Sequence, residues 1–398
     1  MLALNFRKMS GKSNRYFPGK PEYGYLIHLI RCGIHGDIPE ELPAGMSFQK
    51  VYDYAMAHDV ANLAFYGVEK LKRKPEQPLY DTWKYRRDLA LARDMNQEFA
   101  GEEIVQAFRA QGILFKELQG TVLKKLYPRP EYRTMSDLDY IVEKSSLEKC
   151  GEILGQLGYD YKQLGDFEID GTRRPDIFIE IHTDYFSEFS EYCGAMGDPF
   201  SGIESTESDG LTELYLYNVI HTAKHYYSGG CGIRRVLDMY YLDLWYGGKI
   251  DREYVDSVLQ EQNLGAFSRK LSDLGRQWFG EPRQGHDDPS MVNYILDAGV
   301  HGKRKNYIAN SMEHMQGSKG ASFGIRIRYL FTRLFPDFRT MTVKFPILRE
   351  CPVLYPFCWI YRILRMIFGR HRKESLRDLK LVLQTKDNGG LVPHEEEK

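Results

Sequence analysis

The segment 133-RTMSDLDYIV-142 places Asp137 and Asp139 at the mouth of a short apolar run, LDYIV, with the length and composition of a buried strand. Side chains of a strand alternate between its faces, so positions 137 and 139 share one. A D-x-D alone is a common edge-strand feature, and its meaning rests on its neighbours. Upstream, ILF at 113–115 reads as another buried strand. Gly120 and Thr121 follow, then a short helical stretch ending at Tyr127-Pro128. A glycine at a strand-to-helix turn lets backbone N–H groups approach a phosphate, and a helix N-terminus favours negative charge. Downstream, Ser146 stands where it could cap a helix over 147-LEKCGEILGQLG-158, with Gly158 ending it. Strands are expected at 159-YDYKQL-164 and 176-DIFIEIHTDYF-186.

The last of these has two unlike faces. Ile177, Ile179 and Ile181 share one, and Asp176, Phe178, Glu180, His182 and Asp184 share the other. A solvated edge strand could look like this. Two strands that each offer carboxylates from one face also suit Mg²⁺, which takes hard oxygen ligands in octahedral geometry. Two such ions can activate an attacking hydroxyl and stabilise a leaving pyrophosphate. Arg133 is then a triphosphate ligand or a structural partner of Asp137. Further on, His221 and His225 stand at i and i+4 of a helix and share a face. That spacing can hold zinc, but no Glu completes H-E-x-x-H, which leaves a core pair or a contact to nucleotide or acceptor.

At 398 residues, two or three domains are expected. A hydrophobic content of 42% and a charged content of 27% describe a soluble globular chain. A net charge of −1 exerts no general pull on nucleic acid. The six cysteines form no C-x-x-C, which fits reduced thiols in the cytoplasm. The N-terminus has too few apolar residues for a signal peptide, and no long uncharged apolar run predicts a transmembrane helix.

Helical periodicity dominates residues 1–108, an α/β core spans 109–205, and a helical domain spans 206–320. A basic amphipathic segment covers 321–385, and a polar end over 386–398 is expected to be disordered. From Ala321 to Lys380 there are 13 Lys or Arg against 4 Asp or Glu. Within it, 355-YPFCWIYRILRMIFGRHRK-373 carries a helical stripe of Ile360, Ile363, Leu364 and Ile367. Packing on the preceding domain, peripheral contact with an anionic membrane and contact with nucleic acid all fit that pattern, with packing preferred.

The order of strand, Gly-Thr, helix, D-x-D and distant carboxylate resembles the polymerase-β-like nucleotidyltransferases. Over roughly residues 45–365 the chain is similar to a poorly characterised bacterial nucleotidyltransferase family of that superfamily. The resemblance is carried by Gln119-Gly120, 127-YPRP-130, 133-RTMSDLD-139, 180-EIH-182, 221-HTAKH-225 and 234-RRVLD-238, in that order.

It implies an α+β fold in which a small mixed sheet with helices is flanked by N-terminal and C-terminal helical regions. It implies Mg²⁺ or Mn²⁺ held by Asp137, Asp139 and Glu180, with Asp176 and Asp184 as rivals for the third position. Gly120, Thr121, Gln119, Lys116, Arg133 and Lys124 would bind an NTP, taken as ATP. His182, His221, His225, Arg234 and Asp238 would serve the acceptor or the frame. Nucleoside monophosphate would pass to a hydroxyl of a small molecule, sugar or protein. Two departures stand out. Gln119 replaces the usual Lys, so its charge is missing or comes from Lys116 or Lys124. Glu180 stands where the wider superfamily mostly has Asp. The alternatives are a catalytically inactive nucleotide-binding or partner-binding scaffold, and a toxin–antitoxin-type nucleotidyltransferase. The latter calls for a basic groove, and the centre shows no Lys or Arg cluster beyond Lys124, Lys125 and Arg129.

Overall fold

The computed structural model describes residues 20–187, 190–200, 207–280, 288–315, 323–368 and 372–384. The chain forms two compact units, Met1–Thr222 with Gly232–Val300, and Ala223–Cys231 with His301–Lys398.

The first unit begins with α1 (Pro21–His35), α2 (Phe48–Ala57), α3 (Ala61–Val68) and α4 (Gln77–Ala110). Helices α1 and α3 cross closely, because a Cβ at Gly67 would strike the Leu29 carbonyl. Fully buried Trp83 ties α4 to the start of α3 through a 2.7 Å bond from its indole N–H to the Ala61 carbonyl. After α4 come β1 (Phe115–Glu117), α5 (Gln119–Leu123), β2 (Leu138–Val142), α6 (Leu147–Gln156), β3 (Asp160–Leu164), β4 (Glu168–Arg173) and β5 (Ile177–His182). The sheet runs β1-β2-β5-β4-β3. The β2–β5 pair is parallel and the other pairs are antiparallel. This is a mixed five-stranded sheet among many helices, as the α+β reading expected.

Alternation along the strands gives the sheet two faces. Leu138, Tyr140, Val142, Ile169, Ile177, Ile179 and Ile181 join Ala100, Ile104 and Phe108 of α4 and Leu147, Cys150, Ile153 and Leu154 of α6 in one core. Burying an aliphatic or aromatic side chain of this kind contributes about 1.5–3 kcal/mol each. That core fixes the register, since a one-residue slip would turn every apolar side chain outward. The opposite face carries the polar residues of the same strands together with Ile141 and Phe178.

Most of the expected strands are present, with shifted ends. The strand expected at 113–115 runs over 115–117, because Gly112 (φ +65°) ends α4 and Ile113 still belongs to the turn. The strand expected to reach residue 186 stops at His182. Strand β4 was not expected, since its sequence EIDGTR holds one large apolar residue.

The first unit continues with α7 (Glu207–Tyr227), α8 (Ile233–Tyr246), α9 (Arg252–Glu261), α10 (Gly265–Phe279) and α11 (Pro289–Ala298). The end of α7, from Ala223, is assigned to the second unit. Asp251 caps α9 and Asp288 caps α11 through side-chain bonds to backbone N–H groups. Gly275 brings α10 against α8, where a Cβ would lie 3.1 Å from the Val236 carbonyl oxygen.

The second unit contains α12 (Arg304–His314), α13 (Phe323–Leu334), α14 (Phe338–Lys344), α15 (Ile347–Glu350), α16 (Tyr355–Phe368) and α17 (Arg372–Gln384). Ile308, Met312, Tyr329 and Val382 form its core. Asp378 of α17 ties Arg304 at 2.7 Å to Arg333 at 2.8 Å. Among the described residues, no helix is long and apolar enough to cross a membrane. The polar end expected over 386–398 lies outside the described residues.

Candidate active site

The parallel register of β2 and β5 sets Asp139 opposite Glu180 and Ile141 opposite His182. All four look away from the apolar core. Asp139, Glu180 and His182 bring ligand atoms within 4.8 Å of one another. The imidazole Nε2 of His182 lies 3.8 Å from Asp139 Oδ1 and 3.6 Å from Glu180 Oε2. Its Nδ1 lies 3.7 Å from Glu168 Oε2. Burial alone would lower the His182 pKa, but the carboxylates of Asp139, Glu168 and Glu180 outweigh it and hold the imidazole protonated well above its usual range.

Asp137 is half-buried at the edge of β2. Burial, then the carboxylates of Asp139 and Glu180, push its carboxyl up to about 7, with Arg234 offsetting part of the rise. The metal-free cluster therefore holds more like charge than it can comfortably ionise. The carboxylate oxygens form a donor set that a divalent cation would satisfy, which the His182 imidazole joins only on losing its proton, and the crowded charge is what such a cation would relieve.

Strand β4 extends this face beyond what the sequence suggested. Asp170 pairs with Glu180 and Glu168 with His182. Burial, then the Glu168 carboxylate, push Asp170 up to about 6. The signal was present as 168-EID-170, an i, i+2 acidic pair like that at 137 and 139, but in a segment that does not read as a strand. Asp176 is exposed in the β4–β5 turn with φ +50°, and Asp184 lies beyond β5, where its carboxylate accepts the Tyr185 N–H.

The turn after β1 lies beside the cluster, since the Leu118 N–H donates to the Asp139 carbonyl at 3.0 Å. Gln119 has φ +41°, a left-handed conformation that L side chains rarely adopt. A Cβ at Gly120 would stand 2.5 Å from Met135 Sδ and 2.8 Å from Arg133 Nη1, so only glycine fits. The buried Thr121 hydroxyl makes no hydrogen bond among the described residues. Gln119 Nε2 donates to the Tyr217 hydroxyl at 3.0 Å and lies 3.3 Å from His221 Nε2. Its Oε1 accepts from Arg235 Nη1 at 3.2 Å. The cation beside the position usually held by Lys is thus Arg235 of α8, which lies between Arg234 and Asp238 and carries no signal of this role in the sequence.

The other cations expected around the nucleotide are engaged by named acids. Lys116 pairs with Glu213 at 2.5 Å, and Glu213 also accepts the Tyr185 hydroxyl at 2.7 Å. Lys124 is buried against Asp94 at 3.0 Å. Arg133 is buried in a two-pronged pair with Asp238, Nε to Oδ1 at 2.8 Å and Nη2 to Oδ2 at 3.0 Å. Tyr127 donates to the same Oδ1 at 2.7 Å. Arg234 Nη1 reaches the Thr134 carbonyl and Asp59 Oδ2, each at 2.8 Å. His221 is buried and stacks on Tyr217, with ring centroids 5.4 Å apart. His225, one turn on, is exposed and belongs to the second unit.

No curated protein and no solved structure matches this chain. Residues 45–280 match a family described as uncharacterised nucleotidyltransferase, a span that holds every site residue named above. With more than half of its length matched, and with the D-x-D strand, the glycine turn and the E-x-H strand folded onto one face, the chain belongs to that nucleotidyltransferase family.

Proposed function

We propose that the chain is a Mg²⁺-dependent nucleotidyltransferase with a polymerase-β-like core. It would transfer nucleoside monophosphate from an NTP, with ATP the first candidate, to a hydroxyl acceptor and release pyrophosphate. The β2–β5 register carries this reading, because it sets Asp139 against Glu180 with Asp137 two residues upstream. Mg²⁺ or Mn²⁺ held by Asp137, Asp139 and Glu180 would neutralise developing phosphate charge and lower the acceptor hydroxyl's pKa.

The chain's own residues supply the remaining work. The Gly120 turn adjoins the cluster, and the Thr121 hydroxyl, buried there without a hydrogen-bond partner among the described residues, would reach a phosphate oxygen once the turn opens to admit the nucleotide. Arg235 beside Gln119 offers the positive charge that Lys usually provides. Glu180 accepts the proton of the attacking hydroxyl. The new bond joins the acceptor oxygen to the α-phosphorus as the bond to the bridging oxygen of pyrophosphate breaks. Catalysis of this kind comes from positioning and charge complementarity.

Calorimetric titration of ATP should show binding with Mg²⁺ and little in EDTA. Mass spectrometry of products after incubation with each NTP should show a nucleotidylated acceptor, and Asp137→Asn with Asp139→Asn should abolish it. Equal ATP binding with and without metal would refute the reading. One observation favours a second one, nucleotide binding without transfer: Gln119 replaces Lys while Lys116 and Lys124 are held by Glu213 and Asp94. Tight ATP binding with no pyrophosphate released in the presence of any acceptor extract would select it.

A further inference from the structure

Helix α16 is packed on one side only. At about 100° per residue, Phe357, Ile360, Tyr361, Leu364 and Phe368 fall within one arc of roughly 100°. All five are exposed, Phe357 at 66% and Phe368 at 80%. Val353, one turn earlier, is 83% exposed. The opposite arc does the packing. Trp359 lies on Phe335 with centroids 4.3 Å apart, and Arg362 donates to the Leu334 and Arg333 carbonyls at 3.1 and 2.7 Å. The stripe expected from the sequence is therefore divided, since Ile360 and Leu364 are exposed while Ile363 is half-buried. Helix α13 repeats the feature with exposed Ile327, Phe331 and Leu334 at i, i+4 and i+7.

Charge identifies what such a surface suits. Residues 323–368 hold 8 Lys or Arg against 2 acids, Asp337 and Glu350. Asp337 is already used, because its carboxylate caps α14 at the Thr340 N–H. Exposed Arg365 flanks the apolar arc. Exposed Lys344 is followed by Phe345, whose ring meets Tyr361 of the arc at 6.1 Å. Burial, then the cations of Arg362 and Arg333, lower the Lys344 pKa. Positive charge is crowded here, and an anion would relieve it.

We propose that this face of the second unit docks on an anionic lipid bilayer, with α16 lying in the plane of the headgroups. A helix of 14 residues is about 21 Å long, too short to cross a hydrocarbon core of about 30 Å. An aromatic and aliphatic face rimmed by Arg and Lys is the pattern of in-plane interfacial helices. A second copy of the chain would bring the same positive excess to the contact and repel. The acidic residues at 395–397 match the charge but have few apolar neighbours to cover the arc. The proposal is independent of the nucleotidyl-transfer reading, and its test uses no nucleotide.

Full-length protein is floated with vesicles of phosphatidylcholine alone and with equimolar phosphatidylcholine and phosphatidylglycerol. It should float with the mixed vesicles only, and added salt should release it. Arg365→Glu should weaken binding about fivefold or more, the effect expected per cation near such a surface. Phe357→Asp with Phe368→Asp should lower binding at least tenfold, an order-of-magnitude expectation for lost apolar contact, while the melting temperature stays put because both side chains are mostly in water. Failure of the full chain to float with the mixed vesicles would overturn the proposal, as would unchanged binding of the double variant. A dimer in light scattering that the double variant converts to monomer would overturn it too, by assigning the arc to a contact between copies.

Discussion

Removing the carboxylate of Asp238 tests how the site is held. Arg133 and Asp238 are only 5% and 2% exposed, and both prongs of the guanidinium are used. Burial would raise the Asp238 pKa, but the Arg133 charge outweighs it and holds the carboxyl below its ordinary range. In Asp238→Ala the guanidinium stays buried without its acceptor, and the Tyr127 hydroxyl loses one as well. Breaking a buried pair from one side costs about 3–5 kcal/mol. At about 2–4 °C per kcal/mol for a domain of this order, the melting temperature should fall by roughly 6–20 °C in scanning calorimetry. Arg133→Met with Asp238→Leu should recover much of the loss, since neither charge is then stranded.

The pH dependence has a definite sign. A depressed carboxylate contributes stability above its unfolded pKa and loses it as pH falls through the folded value, so the deficit of Asp238→Ala should shrink in strong acid. A variant that melts within about 2 °C of the parent yet loses ATP affinity would refute this reasoning, a 1 kcal/mol change already being visible on that scale. Arg133 would then act on the triphosphate and not on the frame.

Gly120→Ala should lower stability by about 1–3 kcal/mol through overpacking against Met135 and Arg133, and ATP titration should show weakened binding from the displaced turn. Because Asp137 titrates near 7, Mn²⁺ affinity measured by calorimetry should fall up to about tenfold per pH unit below 7, as protons compete for the site. The same raised pKa means that metal-free stability declines as pH climbs toward 7, so Asp137→Asn should melt higher than the parent at mildly alkaline pH. Arg235→Gln should weaken ATP binding on the order of tenfold, the scale of one charge-assisted hydrogen bond. Lys124→Ala should instead lower the melting temperature, because it strands Asp94, and leave ATP affinity in place. A reversal of these last two effects would return the phosphate charge to Lys124.

The sequence was most informative where side-chain period and burial coincide. LDYIV and IFIEIH each show apolar residues on one face and acids on the other, and both are strands whose acids meet. Strand β4 is not legible in the sequence because sheet pairing, and not hydrophobic content, holds it: Ile169 is its one large apolar residue, and Gly171 is required where a Cβ would lie 2.6 Å from Ile179 Cγ2. With β4 went Glu168 and Asp170. The partners of Lys116, Lys124 and Arg133 were equally out of reach, since Glu213, Asp94 and Asp238 are far away in sequence and common in type. Periodicity specifies which face a residue occupies, but it carries no information about which distant helix comes to cover that face.

The two R-x-x-x-D pairs of the resemblance, at 133–137 and again at 234–238, are parts of one device. Arg234 and Asp238 stand at i and i+4 on α8 and therefore share a face. Asp238 takes the guanidinium of Arg133, and Arg234 takes the carbonyl of Thr134. Two consecutive residues of the loop that enters β2 are thus gripped by one helix turn, three residues before Asp137. A loop carrying mutually repelling carboxylates would relieve its strain by moving apart, and the grip opposes that movement. The neighbouring Arg235 leaves the same turn toward Gln119, on the nucleotide side of the proposed site. One turn of α8 therefore holds the carboxylate loop and supplies the charge beside the glycine turn. A shift of about 1 Å in that helix would misplace both at once, and errors of that size are enough to lower a rate on the order of a hundredfold.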